Sequence, residues 1–149
     1  MSLAFLFPGQ GSQSVGMGAD LFERFSDLVC EADELLGYSL RSLCLDDPDV
    51  KLGRTEYTQP ALYVVSYLHA LSLIEDGLRP TLSAGHSVGE FAALASAGSI
   101  RFADGLQMVA KRGEIMSQVE GGGMAAVIGL DADVIRETLS SVSLTDIDL

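Results

Sequence analysis

The chain has 149 residues, 48% of them hydrophobic and 20% charged, enough apolar material for one packed domain. A formal net charge of −12 argues against nucleic acid and anionic membrane surfaces as partners, because their phosphates would repel it. It leaves open a small anionic ligand, which responds to local charge. Cys30 and Cys44 show neither metal-ligand spacing nor a disulfide framework and read as reduced packing residues of a cytoplasmic protein, with no metal site expected.

The opening MSLAFLFPG has no basic segment, and its apolar run is too short for a signal peptide or a membrane span. Residues 3–7 (LAFLF) predict a buried strand, ended by Pro8-Gly9 and followed by the glycine-rich loop PGQGSQSVGMG. The spacing predicts a helix over 20–36, with Leu21, Phe22, Phe25, Leu28, Val29, Ala32, Leu35 and Leu36 on one stripe and Gly37 as its C-terminal cap. LCLDDPDVKLGRTEYTQ reads as a charged connection. Thr58 and Pro60 open a second helix that runs to Asp76-Gly77, apolar on nearly all sides and therefore sandwiched between other elements. TLSAG predicts a strand, VGEFAALASAG a helix ending at Gly98, and 104–119 a further helix. GGGMAAVIGL reads as a glycine run followed by a strand, and Asp131 caps a short last helix, DADVIRETLSS. Strands alternating with helices imply an α/β fold around a parallel sheet, although only three or four strands are in view.

Gly85-His86-Ser87-Val88-Gly89 fits G-x-S-x-G, a nucleophile elbow, with a strand before it and an alanine-rich helix after it. That chemistry needs a sharp strand-to-helix turn that lifts the hydroxyl out of the sheet beside the free N–H groups of a helix start. The simpler alternative is a tight turn with a capping serine. FPGQGSQ after the first strand lacks the spacing of a nucleotide loop and fits either an oxyanion loop facing the elbow or an ordinary connection. On a helical wheel of 104–119, Gln107, Lys111, Glu114 and Gln118 form a polar face. Arg112 falls within the apolar arc of Met108, Val109, Met116 and Val119. An inward guanidinium needs an anionic partner, and an internal carboxylate is the commoner one, a bidentate substrate carboxylate the functional one. His69 lies in the apolar helix and reads as a satisfied core residue. His86 adjoins Ser87, but successive residues at a sharp elbow point apart, so Ser87 has no credible general base here.

Together FPGQGSQ from Phe7, YTQPALY from Tyr57, AGHSVGE from Ala84, KRGEIM from Lys111 and GGGMAAVIGL from Gly121 resemble the malonyl-CoA:acyl carrier protein acyltransferase family of fatty-acid and polyketide synthesis. They run in family order over essentially the whole chain, and LGRTEYTQPALYVV and GGGMAAVIGL look most like the discrete, trans-acting type. The resemblance implies that Ser87 is the nucleophile, that Gln10 and Val88 give the two oxyanion N–H donors, that Arg112 grips the malonyl carboxylate, and that His86 is the elbow histidine. It implies coenzyme A thioester as substrate without a further cofactor, and an acyl carrier protein as acceptor. It further implies an α/β-hydrolase-like core over 1–120 and the start of an inserted ferredoxin-like subdomain over 121–149.

Family members are about twice as long and carry their catalytic histidine in a later GAFHS-type motif that does not occur here. The resemblance therefore implies an N-terminal half whose base, and a C-terminal or ketosynthase partner, lie elsewhere. With that half missing, the sheet should show an open edge and bare apolar faces, and the apolar helix from Pro60 to Ile74 should be the most exposed element. Competing readings are an acyl hydrolase of the same fold, which the presence of Arg112 disfavours, and a non-catalytic remnant.

Overall fold

The computed structural model describes residues 2–148 except 122, 124, 126 and 145. They fall into two compact units, Met1–Val119 and Glu120–Leu149. In the first, β1 (Ala4–Phe7) leads through α1 (Ser26–Leu36), α2 (Leu40–Leu45) and α3 (Thr55–Glu75) to β2 (Leu82–Gly85). The chain then continues into α4 (Gly89–Ser96) and α5 (Phe102–Ser117). Among the described residues β1 and β2 form one two-stranded parallel sheet, with Ala4 opposite Leu82 and Phe7 opposite Gly85. The fold is thus α/β with a small parallel sheet.

α3 is the centre of this unit. Thr58 through Ser66, Leu68 and Ala70 are buried on it, as its all-round apolar sequence requires, with α4 and above all α5 packed against it. Two glycines set how close α5 comes. A Cβ on Gly105 would overlap the Tyr63 ring, and one on Gly113 would lie 3.1 Å from the Glu56 Cα and the Thr55 carbonyl oxygen. Around the first contact, Tyr63, Tyr67 and Phe102 stack, and the Tyr63 hydroxyl donates to the Phe102 carbonyl at 2.9 Å.

Several boundaries differ from expectation. α1 starts at Ser26 because Phe25 adopts φ −117° and ψ 41°, outside the helical region. Leu21 and Phe22 before it are buried on turns that both donate to the Gly18 carbonyl. The charged connection begins inside a helix, α2, whose Ser39 cap accepts from the Ser42 N–H and which buries Leu40, Leu43 and Cys44. α3 starts three residues before Thr58, whose hydroxyl is held by the Leu52 and Arg54 carbonyls at 2.6 and 2.9 Å; Pro60 therefore sits in its second turn. Cys44 is buried, which pushes its thiol up to about 12, but Cys30 is exposed on α1 rather than packed. His69 is also exposed, where a core histidine was expected.

The sheet is covered on one face only. Phe5 and Phe7 are buried, whereas Ala4, Leu6, Leu82 and Ala84, which share the other face by register, are all exposed. Leu6 is 79% and Leu82 68% accessible. This face, not α3, is the bare apolar surface. A groove of about 490 Å³ also runs between β1 and α3, lined by Leu3, Phe5, Leu62, Val65, His69 and Leu73 among others.

The second unit contains α6 (Ala132–Ser141), with Asp131 at the cap position but without a side-chain capping bond. Ile135 and Leu139 of α6 line a cavity of about 600 Å³ with Val127 and Ile147. The described residues of GGGMAAVIGL are not in a strand; Gly122, Met124 and Ala126 lie outside the described residues. A strand needs a partner for its ladder, and the described residues of this unit offer none.

The one-sided sheet makes a direct prediction. In the 149-residue chain, Leu6→Ser should change unfolding free energy by less than about 0.5 kcal/mol, as at an exposed site. Phe7→Ala, its buried neighbour, should cost about 3–5 kcal/mol. Urea unfolding of the two variants measures both.

Candidate active site

The site is built where β2 runs into α4. The His86 N–H donates to the Phe7 carbonyl at 2.9 Å and so extends the strand ladder by one bond. The next residue, Ser87, has φ +54°, a left-handed conformation that a side chain adopts only under local strain. Its carbonyl accepts from the Glu90 N–H at 3.1 Å, and Val88, buried, opens α4. The two flanking glycines are required by contact. A Cβ on Gly85 would overlap the backbone of Gly89 and Glu90, and one on Gly89 would overlap Phe7 and come within 2.6 Å of the Pro8 carbonyl oxygen. The elbow is therefore locked between β1 and α4, with the Ser87 side chain at the surface.

Ser87 Oγ accepts a hydrogen bond from Arg112 Nη2 at 2.9 Å. Arg112 is half-buried on α5, and its Nη1 donates to Gln59 Oε1 at 2.5 Å. Among the described residues it belongs to none of the ion pairs. Arg24, Lys51, Arg54, Arg101, Lys111 and Arg136 each face a carboxylate, while the hydrogen-bond partners of Arg112 are a neutral amide and a hydroxyl. The internal carboxylate expected from the helical wheel is not found there. The wheel was also misphased in part. The buried face of α5 is Phe102, Gly105, Leu106, Val109 and Gly113, whereas Met108 and Val119 are 51% and 66% accessible. Arg112 lies at the margin of that face and borders an open groove of about 710 Å³ with Phe91, Met108, Ile115 and Met116.

Gln59 is the residue that sequence reasoning missed. It is fully buried on α3, and its Nε2 donates to Met116 Sδ at 3.3 Å and to Gln10 Oε1 at 3.5 Å. Gln10 in turn donates from Nε2 to Thr55 Oγ1 at 3.1 Å. Hydrogen bonds thus join Gln10, Gln59, Arg112 and Ser87, and Val88 follows Ser87 directly. The N–H groups of Gln10 and Val88 have no hydrogen-bond partner among the described residues. The signal for Gln59 was present as a glutamine at the head of an otherwise apolar helical run, within YTQPALY.

His86 is placed apart. A Cβ on Gly9 would sit 2.5 Å from His86 Nδ1, so the imidazole packs over Gly9 at the base of the glycine-rich loop. Among the described residues neither His86 nor His69 hydrogen-bonds to Ser87, and no group of three or more metal-ligating side chains occurs.

The site thus brings together a serine on a strained strand-to-helix turn, a glycine-rich loop and an arginine with neutral hydrogen-bond partners. The chain belongs to the acyl transferase domain family, whose model matches residues 4–143. It is 49% identical over 148 residues to the polyketide biosynthesis malonyl CoA-acyl carrier protein transacylase PksC of Bacillus subtilis, covering 99% of this chain and 51% of PksC. The crystal structure of a malonyl CoA-acyl carrier protein transacylase from Burkholderia pseudomallei superposes with a TM-score of 0.95 at 52% identity, over 98% of this chain and 51% of that one. A further match is a malonyl-transacylase solved in complex with its type II polyketide-synthase acyl-carrier protein. It has a TM-score of 0.85 and 38% identity, over 99% of this chain and 50% of that one. The chain spans about half the length of each of these proteins.

The elbow contacts fix an expected outcome. Gly89→Ala places a methyl group against the backbone of β1, which cannot swing aside as a side chain could. Overpacking of this kind should cost about 3 kcal/mol or more, read as a lower urea midpoint.

Proposed function

We propose that this chain carries the nucleophile, the oxyanion donors and the carboxylate clamp of a malonyl-CoA:acyl carrier protein transacylase of polyketide or fatty-acid synthesis. The observation that carries this reading is the 2.9 Å bond from Arg112, a guanidinium with only neutral hydrogen-bond partners among the described residues, to Ser87 Oγ on the strained elbow. Ser87 Oγ attacks the thioester carbon of malonyl-CoA and gives its proton to a general base. The resulting oxyanion is held by the N–H groups of Gln10 and Val88. Its collapse forms the malonyl-serine ester and expels the coenzyme A thiolate, which takes the proton. The carrier-protein thiol then gives its proton to the base and attacks the ester; collapse breaks the ester bond, and the departing Ser87 Oγ takes that proton from the base. Thioester, ester and thioester share one oxidation state, so the route calls for no redox cofactor.

Arg112 distinguishes malonyl from acetyl. A malonyl carboxylate that takes up Nη2 frees Ser87 Oγ, while Nη1 keeps its bond to Gln59. The guanidinium thus exchanges a hydroxyl for a charged partner at the moment of binding. Neither histidine of this sequence is a base in this scheme. His86 packs over Gly9, and His69 lines the groove beside β1. The base is proposed to come from polypeptide outside this sequence.

The finer architecture belongs to the same proposal: an α/β-hydrolase-like core, and a ferredoxin-like subdomain beginning near residue 121. The bare face of Ala4, Leu6, Leu82 and Ala84 supports it, because parallel sheets are normally covered on both faces. A cytoplasmic location fits these substrates, and no described helix is long and apolar enough to cross a membrane.

Intact-mass analysis of the full protein after incubation with malonyl-CoA should show a malonyl adduct that Ser87→Ala abolishes without loss of fold. An adduct persisting in that variant would overturn the assignment. Arg112→Ala should lower malonyl transfer about ten- to a hundredfold more than acetyl transfer, the worth of a charge-assisted pair of about 1.5–3 kcal/mol. Equal loss with both substrates would make Arg112 a structural residue.

A further inference from the structure

The glycine-rich loop holds its own shape by bonds within itself. Ser12 Oγ donates to the Gly9 carbonyl at 2.8 Å, and the Gly11 N–H donates to Gln13 Oε1 at 2.8 Å. Neither bond sets where the loop lies relative to α5 and Arg112. The Gln10 side chain does that. It donates to Thr55 Oγ1 at 3.1 Å and accepts from Gln59 Nε2 at 3.5 Å. Thr55 and Gln59 are four residues apart and so lie on one face of α3. The same turn of α3 carries α5, since the Thr55 carbonyl and the Glu56 Cα lie 3.1 Å from where a Cβ on Gly113 would be, one residue after Arg112.

The donors run in one direction. Arg112 donates to Gln59 Oε1, Gln59 Nε2 to Gln10 Oε1, and Gln10 Nε2 to Thr55 Oγ1. In such a chain each bond polarises the next, and the charged end is the guanidinium. Gln59 is fully buried with both ends of its amide engaged, so its orientation is fixed from two sides.

We propose that Thr55 and Gln59 are positioning residues that hold the oxyanion loop, through the Gln10 side chain, in register with the carboxylate clamp at Arg112. The idea rests on the transfer reading above. A backbone N–H contributes to catalysis only if it meets the developing oxyanion at hydrogen-bond distance, and small displacements of such groups are costly. Gly9 is packed against His86, but Gln10 itself is exposed and is followed by Gly11 at φ +108°, so the ties of its side chain add a direct restraint on that N–H.

The test uses the full protein with malonyl-CoA, acetyl-CoA and a carrier protein, together with NMR of the Gln10 side-chain amide. Thr55→Val keeps the shape of threonine and removes the acceptor. It should lower kcat about tenfold on both substrates alike, leave KM unchanged and shift the Gln10 amide resonances. Thr55→Ser, which keeps Oγ, should restore both kcat and the Gln10 resonances. Gln59→Met should lower kcat on both substrates and also raise KM for malonyl-CoA alone, because it frees Arg112. Thr55→Val with wild-type rates and unmoved Gln10 resonances would overturn the proposal, as would a Thr55→Ser variant that restores neither. If the wild-type protein transfers neither acyl group, the transfer reading fails. The Gln10 resonances then decide the link by themselves: a shift in Thr55→Val that Thr55→Ser reverses upholds it, and no shift overturns it.

Discussion

The close approach of α5 to α3 is the constraint on which the site depends. Gly105 removes the side chain that would strike Tyr63, and Gly113 removes the one that would strike the first turn of α3. With those two contacts in place, Arg112 arrives beside Gln59, and its second nitrogen reaches Ser87. A wider spacing between the helices would take Arg112 out of reach of Gln59 and remove one of its two side-chain acceptors. The packing of the core and the placement of the charged group are therefore one problem, solved by the absence of two side chains.

The elbow is a second point of over-determination. A serine held at φ +54° stores strain of about 1–3 kcal/mol, and such strain persists only where the surroundings leave no alternative. Here the surroundings are backbone. The His86 N–H is bonded to Phe7, Gly89 lies against Phe7 and Pro8, and Gly85 lies against Gly89 and Glu90. The same β1 residues that anchor the elbow lead directly into the glycine-rich loop. The proposed nucleophile and the proposed oxyanion loop are thus mounted on adjacent parallel strands paired through β1 and β2.

Much of this was legible in the sequence because it is written in local patterns. The LAFLF run gave β1, TLSAG gave β2, and G-x-S-x-G between a strand and an alanine-rich helix gave the turn. The all-round apolar composition after Pro60 gave the buried helix. What was hidden depends on tertiary packing. The wheel of α5 could not place Met108 at the surface, since its phase is set by Gly105 and Gly113, residues whose role is to be small, and Val119 lies beyond the end of the helix at Ser117. Gln59 escaped notice because one polar residue in an apolar helix has no periodicity; only the approach of Arg112 and Gln10 from two other elements gives it meaning. Gly18 and Phe25 moved the start of α1 by backbone conformation, which the side-chain stripe does not record.

The electrostatics show why net charge is a poor guide to this site. The chain carries −12 overall, and six of its nine cations are already matched by carboxylates on the surface. Such exposed pairs contribute little to stability and are screened by salt. Arg112 differs in depth and in company. It is half-buried at an apolar groove, and the only groups it donates to among the described residues are neutral, so its charge is not cancelled locally. An anionic group entering that groove meets one uncompensated guanidinium at short range, where the dielectric is lower than in water. The acidic surface acts over distances at which screening is strong. A net charge of −12 is therefore compatible with the proposed binding of a small carboxylate at this one position.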